Sequence, residues 1–138
     1  MYLLDTNIVS ELRKVRQGKA NLRVVKWIEK VDAGALYISV ITLQELEIGV
    51  LLAERKDPAQ GALLRTWLTH HVMTAFSGRI LNVDAAVAQL SAQFHVPNPH
   101  SIRDGLIAAT ALVHHMTVVT RNVADFASTG VAIVNPFH

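Results

Sequence analysis

Short apolar runs that do not alternate with polar residues recur along this chain, separated by longer stretches whose apolar positions return every three or four residues. The runs predict strands at TyrLeuLeu 2–4, LeuTyrIleSer 36–39, ArgIleLeuAsnVal 79–83, ThrValValThr 117–120 and ValAlaIleVal 131–134. The longer stretches predict helices over about 7–14, 21–32, 43–55, 59–75, 85–94 and 102–115, with a helical turn near 123–127. ValProAsnProHis at 96–100 is a loop, because proline offers no N–H and turns the residue before it away from the helical region. Strands without alternation are covered on both faces. The pattern therefore implies an α/β fold with a mostly parallel central sheet of about five strands flanked by helices.

At 138 residues, with no internal repeat, low-complexity tract or dividing linker, the chain reads as a single domain over 1–138. Apolar runs such as LeuIleAlaAlaThrAlaLeuVal at 106–113 fall well short of the roughly 20 residues a membrane span needs, so a soluble protein without a membrane partner is expected. Met1 leads directly into a strand rather than into a secretory signal, and the absence of cysteine excludes disulfides and thiolate metal sites. Both fit a cytoplasmic protein. The net charge of +2 is modest but uneven. Arg13, Lys14, Arg16, Lys19, Arg23 and Lys26 place six of the 13 basic residues in a stretch without an acid, which either attracts phosphates or forms a solvated face.

The acids are distributed in the opposite way, sparse and placed at strand ends. Asp5 follows the first strand, Glu45 falls in the first turn of the helix after the second, Asp104 begins the helix before the fourth, and Asp125 comes five residues after ThrValValThr. Ligand sites of open α/β sheets lie at the carboxyl ends of strands, so topology brings Asp5, Glu45 and Asp125 to one edge, and Asp104 joins them if its helix starts there. Taken singly, each acid has a capping explanation. Thr42-Leu-Gln-Glu45 and Ser101-Ile-Arg-Asp104 have the form of capping boxes, and Asp5 could be an N-cap. Collectively they are harder to dismiss: of 11 acids, the last 81 residues hold three, and two of those, Asp104 and Asp125, fall at the proposed edge.

An all-oxygen donor set selects Mg²⁺ or Mn²⁺ rather than zinc, and such sites commonly serve phosphoryl chemistry. The adjacent pairs His70–His71 and His114–His115 diverge on a helix and do not form a zinc motif. Neither a P-loop nor a dinucleotide fingerprint is present, Asn7 stands where an aspartyl-phosphate phosphatase needs a second Asp, and no Lys beyond Lys56 could serve a phosphorelay receiver.

Four ordered blocks then carry a resemblance: LeuLeuAspThrAsnIleValSerGluLeuArgLys at 3–14, IleThrLeuGlnGluLeuGluIleGly at 41–49, AspGlyLeuIleAlaAlaThrAla at 104–111 and ThrValValThrArgAsnValAlaAspPhe at 117–126, with ThrGlyValAlaIleValAsnProPhe at 129–137 as a matching tail. The chain resembles the PIN-domain ribonucleases, and within them the VapC-like toxins of the FitB branch. That resemblance implies a PIN-like fold and a Mg²⁺- or Mn²⁺-dependent endoribonuclease that is the toxin of a toxin–antitoxin pair. The family's acidic quartet falls on Asp5, Glu45, Asp104 and Asp125 as metal ligands, with Thr6, Thr120 and Asn122 as polar support; Phe137-His138 replaces the Trp often found at the tail. Implied partners are single-stranded or looped RNA as substrate, a VapB-like antitoxin, and a second copy in a homodimer, with DNA reached only through the antitoxin. The rival from another class is a non-catalytic antitoxin-binding co-repressor whose acids serve only as caps and as a dock for a basic side chain.

Overall fold

The computed structural model describes all 138 residues, Met1–His138. Five strands, β1 (Tyr2–Leu4), β2 (Leu36–Ser39), β3 (Ile80–Leu81), β4 (Thr117–Val119) and β5 (Ile133–Val134), form an all-parallel sheet in the order β3-β2-β1-β4-β5. The central strand is β1, with Leu3 opposite Tyr37 on one side and Val118 on the other. Side chains alternate across the pleat. Leu4, Ile38 and Val119 enter one core, and Leu3 and Val118 enter the other. Both faces of the sheet are covered by apolar side chains, which is why the strands show no polar alternation.

The first core is closed by α1 (Thr6–Leu12) through Ile8 and Val9 and by α3 (Val40–Lys56) through Leu46 and Val50. Leu68 and Val72 add to it from the helical run that begins as α4 (Pro58–Thr66), widens to a π-helix over Trp67–Val72 and ends as α5 (Met73–Ala75). Trp27 of α2 (Leu22–Lys30) packs at its margin, edge-on to Tyr2. The second core is closed by α7 (Ile102–Val113), whose Ala108 and Ala111 let the helix lie close to the sheet, and by Phe126 of the short α8 (Val123–Phe126). Behind α7 lies α6 (Ala85–Ala92). Leu3 and Leu4 are fully buried, so truncating either to Ala would cost about 2–5 kcal/mol.

Two expectations need correction. The edge strands are shorter than their apolar runs: β3 keeps Ile80–Leu81 of 79–83 and β5 keeps Ile133–Val134 of 131–134. An edge strand pairs on one side only, so fewer residues meet a partner. More consequentially, α3 starts at Val40 because Ser39, the last residue of β2, is its N-cap and accepts the Ile41 N–H at 2.9 Å. Thr42 is therefore an interior, fully buried residue rather than a cap, and Glu45 lies in the second turn with its carboxylate free for other work.

Where α4 crosses α3, Arg65 bridges Glu47 at 2.6 Å and Glu54 at 3.1 Å. Gly61 fits because it has no Cβ: one placed there would overlap the Glu54 backbone, with its N only 2.6 Å away. Gly61→Ala should therefore cost about 1–3 kcal/mol through overpacking. Gly49→Ala, inside α3 with nothing within 4 Å of the added carbon, should gain up to about 1 kcal/mol. Thermal unfolding of the two variants checks the contrast; equal effects would mean that the α3–α4 contact is looser than described.

Candidate active site

Because the chain moves outward from β1 to β2 and β3 and then returns to place β4 on the other side of β1, the strand order reverses between β1 and β4. A crevice opens at such a switch point, beyond the carboxyl ends of the two strands. Asp5 and Thr120 are the residues immediately following those strands. The backbone N–H of Asp5 still donates to Val119 O at 2.9 Å, so its carboxylate is delivered by the sheet itself.

That carboxylate is only 5% exposed and is held by three donors. Oδ1 accepts the Thr6 N–H at 2.8 Å as the N-cap of α1, while Oδ2 accepts the Thr120 hydroxyl at 2.8 Å and the Asn7 amide at 3.0 Å. Asn7 also accepts the Arg121 N–H at 3.1 Å, and Thr120 Oγ1 accepts the Asn122 N–H at 3.0 Å. The loop after β4 is thus pinned to the start of α1. Asn7 went unrecognised in the sequence, where it served only to exclude a phosphatase. Asn122 contributes its backbone N–H to this network; its side chain makes no capping bond to α8.

Glu45 comes to Asp5 through Thr6, whose hydroxyl donates to Glu45 Oε1 at 2.6 Å and lies 3.3 Å from the buried Thr42 hydroxyl. Its other oxygen, Oε2, is 3.7 Å from the Arg103 guanidinium, a neighbour that sequence reasoning also missed. Ser101 caps α7 as expected, accepting the Asp104 N–H at 3.4 Å. Asp125 is tied to the same helix start by His100, whose ring lies between Ser101 O at 2.9 Å and Asp125 O at 3.0 Å. All four acids therefore lie at one edge, where Asp104 and Glu45 act on Asp5, and Asp125 and Glu45 act on Asp104.

Burial is the main cause that raises the Asp5 pKa; the Thr120 and Thr6 hydrogen bonds oppose it, and the charges of Asp104 and Glu45 add to it. Asp104 is raised by burial first, then by the charge of Asp125 and, less, of Glu45, against the Ser101 hydroxyl and His100. A crevice in which carboxylates resist ionisation suits a hard divalent cation, and every acidic donor here is a carboxylate oxygen. The arrangement is open: no three acidic or imidazole side chains converge tightly enough to enclose an ion, Glu45 being turned toward Thr6 and Arg103.

The basic stretch divides. Arg13 and Arg16 line hollows beside the crevice, Lys14 pairs with Glu11 at 3.2 Å, and Arg23 and Lys26 face the C-terminal tail. No helix is long and apolar enough to cross a membrane.

Comparison with known proteins shows the family and the fold. The PIN domain profile matches residues 2–131. Toxin FitB of Neisseria gonorrhoeae is 37% identical over 146 residues, covering 100% of this chain and 99% of that protein. VapC ribonuclease Y4jK of Sinorhizobium fredii is 34% identical over 142 residues, covering 99% and 98%. The crystal structure of FitAcB from Neisseria gonorrhoeae superposes with a TM-score of 0.89 at 36% identity, covering 100% of this chain and 99% of that one.

The raised Asp104 pKa has a signed consequence. Between the ordinary aspartate value, about 3.9, and its own higher value, the folded state binds more protons than the unfolded chain, so this group's contribution to stability falls as pH rises through that window. In chelator at neutral pH, Asp104→Asn should melt at or above wild type, and the difference should shrink as the pH is lowered toward 4. With Mn²⁺ the variant should gain less than wild type, since ligand-linked stabilisation follows affinity for the folded state. A variant that melts lower in chelator and keeps the full Mn²⁺ shift would make Asp104 a first-turn acid only.

Proposed function

The chain belongs to the PIN-domain family, and from that premise we propose that it is a metal-dependent endoribonuclease acting as the toxin of a toxin–antitoxin pair. One observation carries the reading: Asp5, buried and held by three donors at the β1–β4 switch point, lies at one edge with Glu45 and Asp104, whose charges act on it, and with Asp125, whose charge acts on Asp104. A protein that needed only helix caps would gain nothing from burying one carboxylate beside others.

In this reading the four carboxylates would hold Mg²⁺ or Mn²⁺, which supplies Lewis acidity toward water and charge neutralisation at the scissile phosphodiester. Thr120, Asn7 and the Thr6 N–H fix Asp5 so that it need not reorganise, and the Thr6 hydroxyl keeps Glu45 within reach. Arg103 offsets the negative charge at Glu45, which it approaches to 3.7 Å. The substrate is single-stranded or looped RNA, because a recessed crevice must reach one phosphate without a duplex in the way. The resemblance to Toxin FitB and to the FitAcB complex supports a separate antitoxin as the silencing partner. A homodimer, with DNA reached only through the antitoxin, completes the assembly proposed.

The co-repressor reading draws on one observation, that no three side chains enclose a cation. The deciding experiment is incubation of antitoxin-free protein with cellular RNA, with Mn²⁺ or chelator, followed by sequencing of the new RNA ends. Cleavage at discrete positions only with metal is expected; intact RNA in both arms would leave the co-repressor. Glu45→Gln should reduce cleavage by at least about a hundredfold. Its melting temperature should stay near wild type, because the amide oxygen can still accept the Thr6 hydroxyl while binding a hard cation poorly. Full activity of the variant at saturating Mn²⁺ would remove Glu45 from the site.

A further inference from the structure

Two hollows, of about 210 and 500 Å³, adjoin along the side of α1 and share Arg13 and Trp67. The first opens on Thr6 and Glu45, at the carboxylate crevice, and has room beside Gly49, where a Cβ would meet nothing within 4 Å. The second continues past Arg16 and His71, and only three of its nine lining residues are apolar. Thr6 to Arg13 is seven residues, about 10 Å along a helix, so the groove extends beyond the crevice by more than one side chain's reach.

We propose that this groove carries the single-stranded RNA leading from the cut site, with Arg13 and Arg16 taking its phosphates and Trp67 stacking one of its bases. The proposal rests on the ribonuclease reading and adds to it a path and a polarity of charge. Glu45 is the one acid lining either hollow, at the catalytic end. Neither Arg13 nor Arg16 has an acidic partner within 4 Å, whereas Lys14, Arg65 and Arg103 all do. The Arg16 guanidinium instead points at His71 Nε2, 3.5 Å away. Unpaired cations flanking an aromatic ring in a polar channel are what a single strand requires: charge for the backbone, and a flat face that accepts any base. Trp67 opens the π-helical stretch, a widened turn of the kind that recurs at functional sites. A mainly apolar hollow of about 220 Å³ next to Val72 and Phe76 meets the groove at Leu12, Trp67 and His71, but Arg13 and Arg16 line only the polar side, and it is that side that suits a phosphate backbone.

The test uses the 138-residue chain, free of antitoxin and in chelator, so that RNA is bound but not cut, with fluorescein-labelled oligouridine and oligoadenosine 12-mers and anisotropy over a salt series. Arg13→Gln with Arg16→Gln should weaken binding about tenfold or more at low salt and flatten the log–log salt slope by about 1.4, two phosphates at about 0.7 each. Trp67→Leu should weaken binding about fivefold or more without changing the slope, and Trp67→Phe should retain most of the affinity. Because Trp67 also packs on the first core, the arginine pair decides if Trp67→Leu fails to fold. Arg23→Gln with Lys26→Gln, on the cleft beside the C-terminal tail, should leave the slope unchanged. Wild-type slope and affinity in the Arg13/Arg16 variant, or an equal loss in the Arg23/Lys26 variant, would overturn the path. So would loss of antitoxin binding alone, which would give the groove to a protein. RNA held in this groove but never cut with Mn²⁺ would sink the ribonuclease reading instead, and cleavage with an unchanged KM in the Arg13/Arg16 variant would sink the groove.

Discussion

A carboxylate that is 5% exposed can keep its place only if its lone pairs are occupied, and at Asp5 three donors from two strand ends occupy them. Everything at the crevice depends on this arrangement. Thr120 follows β4 and Asn7 lies in α1, so the bonds that satisfy Asp5 also fix how the loop after β4 sits on the start of α1. The sheet makes the arrangement possible because β1 and β4 are neighbours in parallel register, with Leu4 opposite Val119.

Once Asp5 is fixed, the other acids follow from ordinary local structure. The early cap of α3 at Ser39 sends Glu45 to the Thr6 hydroxyl, the Ser101 cap sets Asp104 in the first turn of α7, and His100 holds the Asp125 carbonyl against the same helix start. The cost is electrostatic. Burial and repulsion from neighbouring acids oppose ionisation of Asp5 and Asp104, and the chain offsets this only partly, with the Thr120 hydroxyl and Thr6 N–H at Asp5 and with Ser101 and His100 at Asp104. A divalent cation would complete the compensation, which ties the stability of this region to its chemistry.

Much of this was legible in the sequence, for identifiable reasons. TyrLeuLeu and ThrValVal read as buried strands because both their faces meet a core, and their order with the intervening helices placed the acids at one edge. The start of α3 was not legible: Val40 and Ile41 are β-branched and extend the strand pattern of LeuTyrIleSer, hiding Ser39 as the cap and making Thr42 look like one. Asn7 and Arg103 were missed because their roles are set by partners distant in sequence, Thr120, Arg121 and Glu45. The basic stretch could be read from sequence in two ways, as a phosphate site or as a solvated face. It is continuous in sequence, but the chain leaves α1 through a short 3₁₀ turn and the left-handed Gly18 before α2, so Arg13 and Arg16 part from Arg23 and Lys26.

Folding brings these carboxylates to one edge of the sheet, and in the proposed function they share a cation there. Carboxyl-carbon NMR of aspartate-labelled protein, titrated with pH in chelator and again with diamagnetic Mg²⁺, tests it directly. Asp5 and Asp104 should protonate above the ordinary aspartate range without the ion, and at lower pH with it, because binding favours the charged form. Ordinary titration of both, indifferent to Mg²⁺, would contradict the claim and leave four acids that share an edge of the sheet without sharing a ligand.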